Sequence, residues 1–180
     1  MQRRQQSWPR QWLMTDERLA ERLWEAIAHL PDTGGIVFRH YSLAAAARAD
    51  LANRVADIAR ARGITLAVAG DIDLARGVGA ALVHNPWAPA SDLPTSRAVH
   101  DLGEAEKARS TGPALVFVSP VYRTRSHRGC KALGADQAAE LAKAAGVPAI
   151  ALGGMNAGKF AHLARAGFYG WAGIDAWLGA

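Results

Sequence analysis

The residues with the plainest chemistry lie between Ser119 and Lys131. Arg123, Arg125, Arg128 and Lys131 carry charge there, Thr124 and Ser126 carry hydroxyls, and His127 carries an imidazole. Hydroxyls donate to phosphate oxygens, and guanidinium forks add charge and paired donors, so the set reads as an anion site. A solvated basic loop has the same composition, and only its position in a fold separates the two. Further on, Gly153-Gly154-Met155-Asn156 precedes a helical stretch. Paired glycines ahead of a helix let the backbone approach a ligand and turn free N–H groups and the helix dipole toward an oxyanion. The run Gly170-Trp171-Ala172-Gly173-Ile174-Asp175 again offers small residues, with Asp175 read as a helix cap because it would repel a bound phosphate. His40, His84, His100 and His127 each follow a strand-like run and are candidates for acid–base work, whereas His29 and His162 sit inside helical stretches. No HExxH and no clustered His/Cys spacing occurs, so zinc is not expected.

The elements that must position these residues alternate along the whole chain. Short apolar strand-like runs at 12–14, 36–38, 64–69, 81–83, 97–99, 114–118, 148–152 and 169–172 are separated by amphipathic stretches at 16–30, 44–62, 71–78, 102–110, 135–145 and 156–166, with a stub at 174–178. In the first of these, Leu19, Leu23, Ala26, Ile27 and Leu30 share one face and Pro31 ends it. In the second, Leu51, Val55, Ile58 and Ala59 share a side and Gly63 is the stop. Residues 85–95 hold three prolines and read as a loop. Counted as strand–helix units the pattern reaches eight, which predicts α/β class and a compact TIM (β/α)8 barrel, with an open doubly wound sheet as the alternative. In a barrel the site forms from the loops after the strands, and phosphate commonly sits after strands seven and eight, where the two glycine runs fall.

Composition narrows the class. The chain has 180 residues, 50% hydrophobic and 21% charged, which suits one globular domain over 1–180 with residues 1–10 loosely ordered. No apolar run approaches the ~20 residues of a membrane span, so no membrane partner is expected. The single Cys130 cannot form an intramolecular disulfide, and no signal-peptide core follows the basic start, which points to the cytoplasm. A formal charge of +5 with scattered arginines and no aromatic–basic motif favours a small anion over a nucleic acid. Trp171 and Trp177 near the carboxyl end read as ordinary core packing, with a homo-oligomer interface as the alternative.

The segment Ser119-Pro120-Val121-Tyr122-Arg123-Thr124-Arg125-Ser126-His127 resembles the G/S-P-V-F-x-T-x-T/S-K/H motif of the thiamine-phosphate synthase/TenI superfamily. Ala132-Leu133-Gly134, Val147 through Met155, and Ala166-Gly167 through Ile174 are similar to its later motifs. Leu13-Met14-Thr15-Asp16, Arg39 and Val83-His84 match its earlier strand ends. The likeness spans nearly the whole chain, and its specific part is the last third. It implies a barrel that joins hydroxymethylpyrimidine diphosphate to thiazole phosphate with Mg²⁺ and releases pyrophosphate. Carried across, Thr124 and Ser126 hold phosphate oxygens, and the amides of Gly153, Gly154 and Gly173 bind the phosphate. Arg39 faces the diphosphate, and Arg39, His127 and His84 form the catalytic set. The implied partners are small phosphorylated pyrimidine and thiazole compounds.

The chain departs from the pattern at three places. Val37-Phe38-Arg39-His40-Tyr41 lacks the glutamine and lysine of Q-x-R-x-K, and Ala69-Gly70 replaces the Asn-Asp that supplies one magnesium carboxylate. The second metal aspartate has no counterpart in His84-Asn85-Pro86-Trp87, leaving Asp71 or Asp92 as substitutes. Two alternatives follow. One is a TenI-like thiazole tautomerase using a histidine base, although Pro120 stands where that histidine falls. The other is a catalytically degenerate paralogue that binds a phosphate ligand.

Overall fold

Each strand expected from an apolar run is present, and together they close on themselves. The computed structural model describes residues 7–89, 92–124 and 131–179. The strands are β1 (Gln11–Met14), β2 (Gly35–Phe38), β3 (Thr65–Ala69), β4 (Leu82–His84), β5 (Thr95–Val99), β6 (Leu115–Val118), β7 (Ala149–Leu152) and β8 (Gly170–Gly173). They form a closed parallel barrel in chain order, with Leu13 registered against Ile36 on one side and Gly173 on the other. Parallel strands covered on both faces need apolar residues in succession, which is why β2 and β6 are buried at every position.

The helices are α1 (Arg22–His29), α2 (Ala45–Arg62), α3 (Ile72–Gly77), α4 (Leu102–Thr111), α5 (Ala135–Ala145) and α6 (Ala157–Leu163). Asp71, Asp101 and Asn156 cap α3, α4 and α6 by accepting the amides of Leu74, Glu104 and Lys159. Gly63 ends α2 in the left-handed conformation at φ 70°, as its position predicts.

Two expectations are corrected. Residues 16–30 are not one helix: Asp16 caps a short 3₁₀ turn at Glu17–Leu19, and Ala20, at φ 44°, breaks the chain before α1 begins. The eight strand–helix units are also an overcount, since the described residues between β4 and β5 contain no helix. Pro86, Pro89 and Pro94 remove backbone donors there, so the loop reading of that stretch holds.

The barrel interior is filled from opposite sides. The Trp12 indole of β1 meets the Phe117 ring of β6 edge-on at 5.7 Å, and the His84 imidazole of β4 meets the same ring at 5.1 Å. None of these strands is a neighbour of β6, so all three rings point inward. Trp171 and Trp177 stack at 4.8 Å and are buried, and the Trp177 Nε1–H donates to the Trp12 carbonyl at 3.1 Å. Both tryptophans are core, as the packing reading expects. On α2 the buried stripe runs through Arg48, Ala52, Val55, Ala56 and Ala59, with Leu51 and Ile58 only half-buried, which rotates the expected face toward an arginine. No helix among the described residues is long and apolar enough to cross a membrane.

Candidate active site

Because β6, β7 and β8 are adjacent, the loops after them meet on one rim of the barrel. Barrel closure places β1 beside β8 and brings in the loops after β1 and β2. The result is a cleft of about 550 Å³, open mouth included. Of the residues expected at an anion site, Arg39, Thr124, Gly153, Gly154 and Gly173 all line it. Ser126 and His127 lie outside the described residues. Arg18, Ser119, Met155 and Asp175 also line the cleft.

The polarity of the rim after β7 is set by where its carbonyls go. The Val121 amide donates to the Leu152 carbonyl at 2.8 Å, and the Tyr122 amide to that of Gly153 at 3.0 Å. The Lys159 ammonium donates to the Gly154 carbonyl at 2.6 Å. The N–H groups of Gly153 and Gly154 donate to no described residue. Their carbonyls are therefore tied into the protein, while their donors have no acceptor among the described residues. Both glycines are at positive φ, 97° and 61°. A Cβ at Gly153 would lie 2.8 Å from the Pro120 Cα, and one at Gly154 would strike the Arg123 carbonyl oxygen. The glycines thus admit the loop after β6, where the sequence suggested room for a ligand.

Charge at the cleft is organised by Asp16. Its carboxylate accepts from Arg18 Nε at 2.9 Å and from Arg39 Nη2 at 3.1 Å. Arg39 also donates from Nε to the Thr15 carbonyl at 2.8 Å. Two guanidinium groups share this one carboxylate, and Asp175 adds a second carboxylate to the cleft lining. Burial works against ionisation of Asp16, but the hydrogen bonds from Arg18 and the charges of Arg18 and Arg39 outweigh it and hold the carboxyl below its usual range. Asp175 opens the 3₁₀ turn Asp175–Trp177 and does not occupy its cap position, which is Ile174. Arg18 and Arg22 line the same surface hollow as Asp175. Sequence reasoning missed Arg18, whose only signal was its place two residues beyond the Thr15-Asp16 pair.

The histidines separate by environment. His84 does not line the cleft: it is buried in the barrel, with Nδ1 3.1 Å from Ser96 Oγ and Nε2 3.3 Å from Asn85 Nδ2. Desolvation, with Arg39, Arg97 and His100 adding repulsion, pushes its pKa down to about 3. A neutral imidazole in that position fills space and holds Ser96; it is not poised for proton transfer near neutrality. His40 is buried against Phe38, bonded to Thr15 Oγ1 at 3.1 Å, and also shifted down, first by burial. His100 is on the surface, 2.8 Å from Glu104.

Neither substitute carboxylate is free for a divalent cation. At Gly70, where the resemblance would put a metal aspartate, a Cβ would run into the Trp87 indole. Asp71 Oδ1 accepts the Leu74 amide at 2.9 Å and Oδ2 accepts Arg48 Nη1 at 3.2 Å. Asp92 holds Arg76 through both oxygens, at 2.9 and 2.7 Å. Both substitutes are spent, and the described residues contain no group of three His, Cys, Asp or Glu side chains that could hold a metal ion. A site for Mg²⁺ needs free hard oxygens, which neither Asp71 nor Asp92 offers.

A family model described as thiamine monophosphate synthase matches residues 10–177, nearly the whole barrel and every loop of the cleft. The chain belongs to that family. Among thiamine monophosphate synthase relatives, it is 34% identical to a thiamine biosynthesis bifunctional protein ThiM/ThiE of Symbiobacterium thermophilum, over 81% of this chain. It spans only 32% of that protein's length. It is 28% identical to a thiamine-phosphate synthase of Haloarcula marismortui, over 85% of this chain and 76% of that one. The solved structure of thiamine phosphate pyrophosphorylase from Pyrococcus furiosus superposes with a TM-score of 0.80 at 20% identity, covering 93% of this chain and 86% of the other. At that identity the superposition speaks for the barrel alone.

Proposed function

We propose that this chain serves thiamine biosynthesis by binding thiazole phosphate in the cleft at the ends of β6, β7 and β8, as one partner of a synthase-type condensation with hydroxymethylpyrimidine diphosphate. The observation that carries the reading is the pair of amides at Gly153 and Gly154 that donate to no described residue, in a cleft also lined by Arg18 and Arg39. A phosphate monoester satisfies such amides at little reorganisation cost, and the two guanidinium groups add attraction that a neutral ligand would not feel. Thr124 and Ser126 supply hydroxyl donors from the loop after β6. Arg39 faces the bond that breaks as pyrophosphate leaves, where its charge stabilises the departing anion.

The test is pyrophosphate release from the two substrates, alongside calorimetric titration of thiazole phosphate alone. Binding with turnover supports the whole reading, and absence of binding rejects it. A second reading is favoured by the Trp87 indole at Gly70 and by the spent carboxylates. On it the chain binds thiazole phosphate without condensing it, as an isomerase or as a catalytically degenerate member. Binding without turnover would select this second reading.

A further inference from the structure

The opposite side of the mouth, where β2, β3 and β4 end, is rebuilt around one arginine. Arg48 projects from α2 and is only 5% exposed. It donates to Asp71 Oδ2 at 3.2 Å, to the Ala69 carbonyl at 2.8 Å and to the Arg39 carbonyl at 3.4 Å. The rings of Phe38, Tyr41 and Trp87 surround it, with centroids 5.6 to 5.9 Å from its guanidinium carbon. Its Nε is the one buried side-chain nitrogen or oxygen among the described residues with no hydrogen-bond partner. An unpaired buried donor is costly, and a charged one more so, which makes its retention here informative.

Two of the rings around it, Tyr41 at 51% and Trp87 at 69%, are exposed large hydrophobic side chains. Exposed side chains move at little cost, so an anion arriving from solvent meets a thin aromatic cover over a cation. The same Trp87 fills the position beside Gly70, so a guanidinium and its aromatic box occupy the rim where the family resemblance expects a metal-held carboxylate.

We propose that Arg48 is the anion-binding residue of this second half of the mouth, and that it receives a diphosphate group without a divalent cation. The guanidinium, already paired with Asp71, offers its remaining free N–H to a phosphate oxygen as a charge-assisted donor, so the contact requires no carboxylate-held metal. The inference rests on the synthase-type reading, because only a condensation with a pyrimidine diphosphate brings a diphosphate to the mouth.

Inorganic pyrophosphate is the probe, titrated calorimetrically into the whole chain in chelator and then in millimolar Mg²⁺ with the free pyrophosphate concentration corrected for its magnesium complex. The expected result is saturable binding in chelator that changes less than about twofold with Mg²⁺. Arg48→Met, with its fold checked by circular dichroism, is expected to weaken pyrophosphate binding at least about tenfold, with no recovery when Mg²⁺ is added. Wild-type binding that appears only with Mg²⁺ would overturn the proposal, as would an Arg48→Met variant that binds pyrophosphate as well as wild type. Thiazole phosphate binding, measured on the same samples, reports separately on the cleft after β7, so loss of one reading does not masquerade as loss of the other.

Discussion

Lowering the pH should destabilise this barrel well above the range in which its carboxylates titrate, and His84 sets the size of the effect. In the unfolded chain a histidine titrates near 6.5, whereas in the barrel desolvation pushes His84 down to about 3. A group whose proton affinity falls on folding favours the unfolded state once that state can be protonated. The barrel therefore keeps its full stability above pH 6.5 and loses it progressively between there and pH 3. At pH 5 the unfolded histidine is almost wholly charged and the folded one neutral, which costs about 2 kcal/mol from this residue alone. His40, shifted in the same direction, adds to the slope. Asp16 adds only below about pH 4, because its lowered carboxyl favours the folded state until it is protonated. Urea unfolding followed by tryptophan fluorescence between pH 7.5 and 4.5 measures the slope, and His84→Gln removes one titration from it. The variant loses stability at every pH by giving up the Ser96 contact, but its slope should be shallower by close to one proton. Equal slopes for the two proteins would refute the assignment of His84 as a neutral interior residue and reopen it as an acid–base group.

Gly154→Ala should cost about 2–4 kcal/mol, combining a left-handed alanine with a Cβ forced against the Arg123 carbonyl. Gly167→Ala, which meets open space, should cost only about 1–2 kcal/mol in thermal melts. Arg39→Met should weaken thiazole phosphate binding by about 1.5–3 kcal/mol through loss of a charged donor, read by calorimetry. Thr124→Ala with Ser126→Ala should weaken it by about 1–3 kcal/mol per lost bond, and unchanged affinity would remove the loop after β6 from the site.

The strands were legible because a parallel barrel buries both faces of its sheet, so Leu115–Val118 and Gly35–Phe38 read as unbroken apolar runs. The helix from 16 to 30 misread because periodicity saw the apolar face but not the pull of Asp16 on Arg18, nor the break at Ala20. The cleft was legible as far as glycines and hydroxyls follow strands in sequence. What stayed hidden were pairings between distant segments: Arg48 with Asp71, Arg76 with Asp92, and Trp87 against Gly70. Each looks like an ordinary surface residue until the barrel closes, and together they occupy Asp71, Asp92 and the space beside Gly70. His84, read as following the run 81–83, is instead the last residue of β4 and lies buried in the barrel.

The most direct measurement is a crystal of this protein grown with thiazole phosphate. The account predicts phosphate density within hydrogen-bond reach of the Gly153, Gly154 and Gly173 amides, with Arg18 or Arg39 turned toward it. A ligand seated elsewhere, or those amides capped by the protein's own side chains, would contradict it.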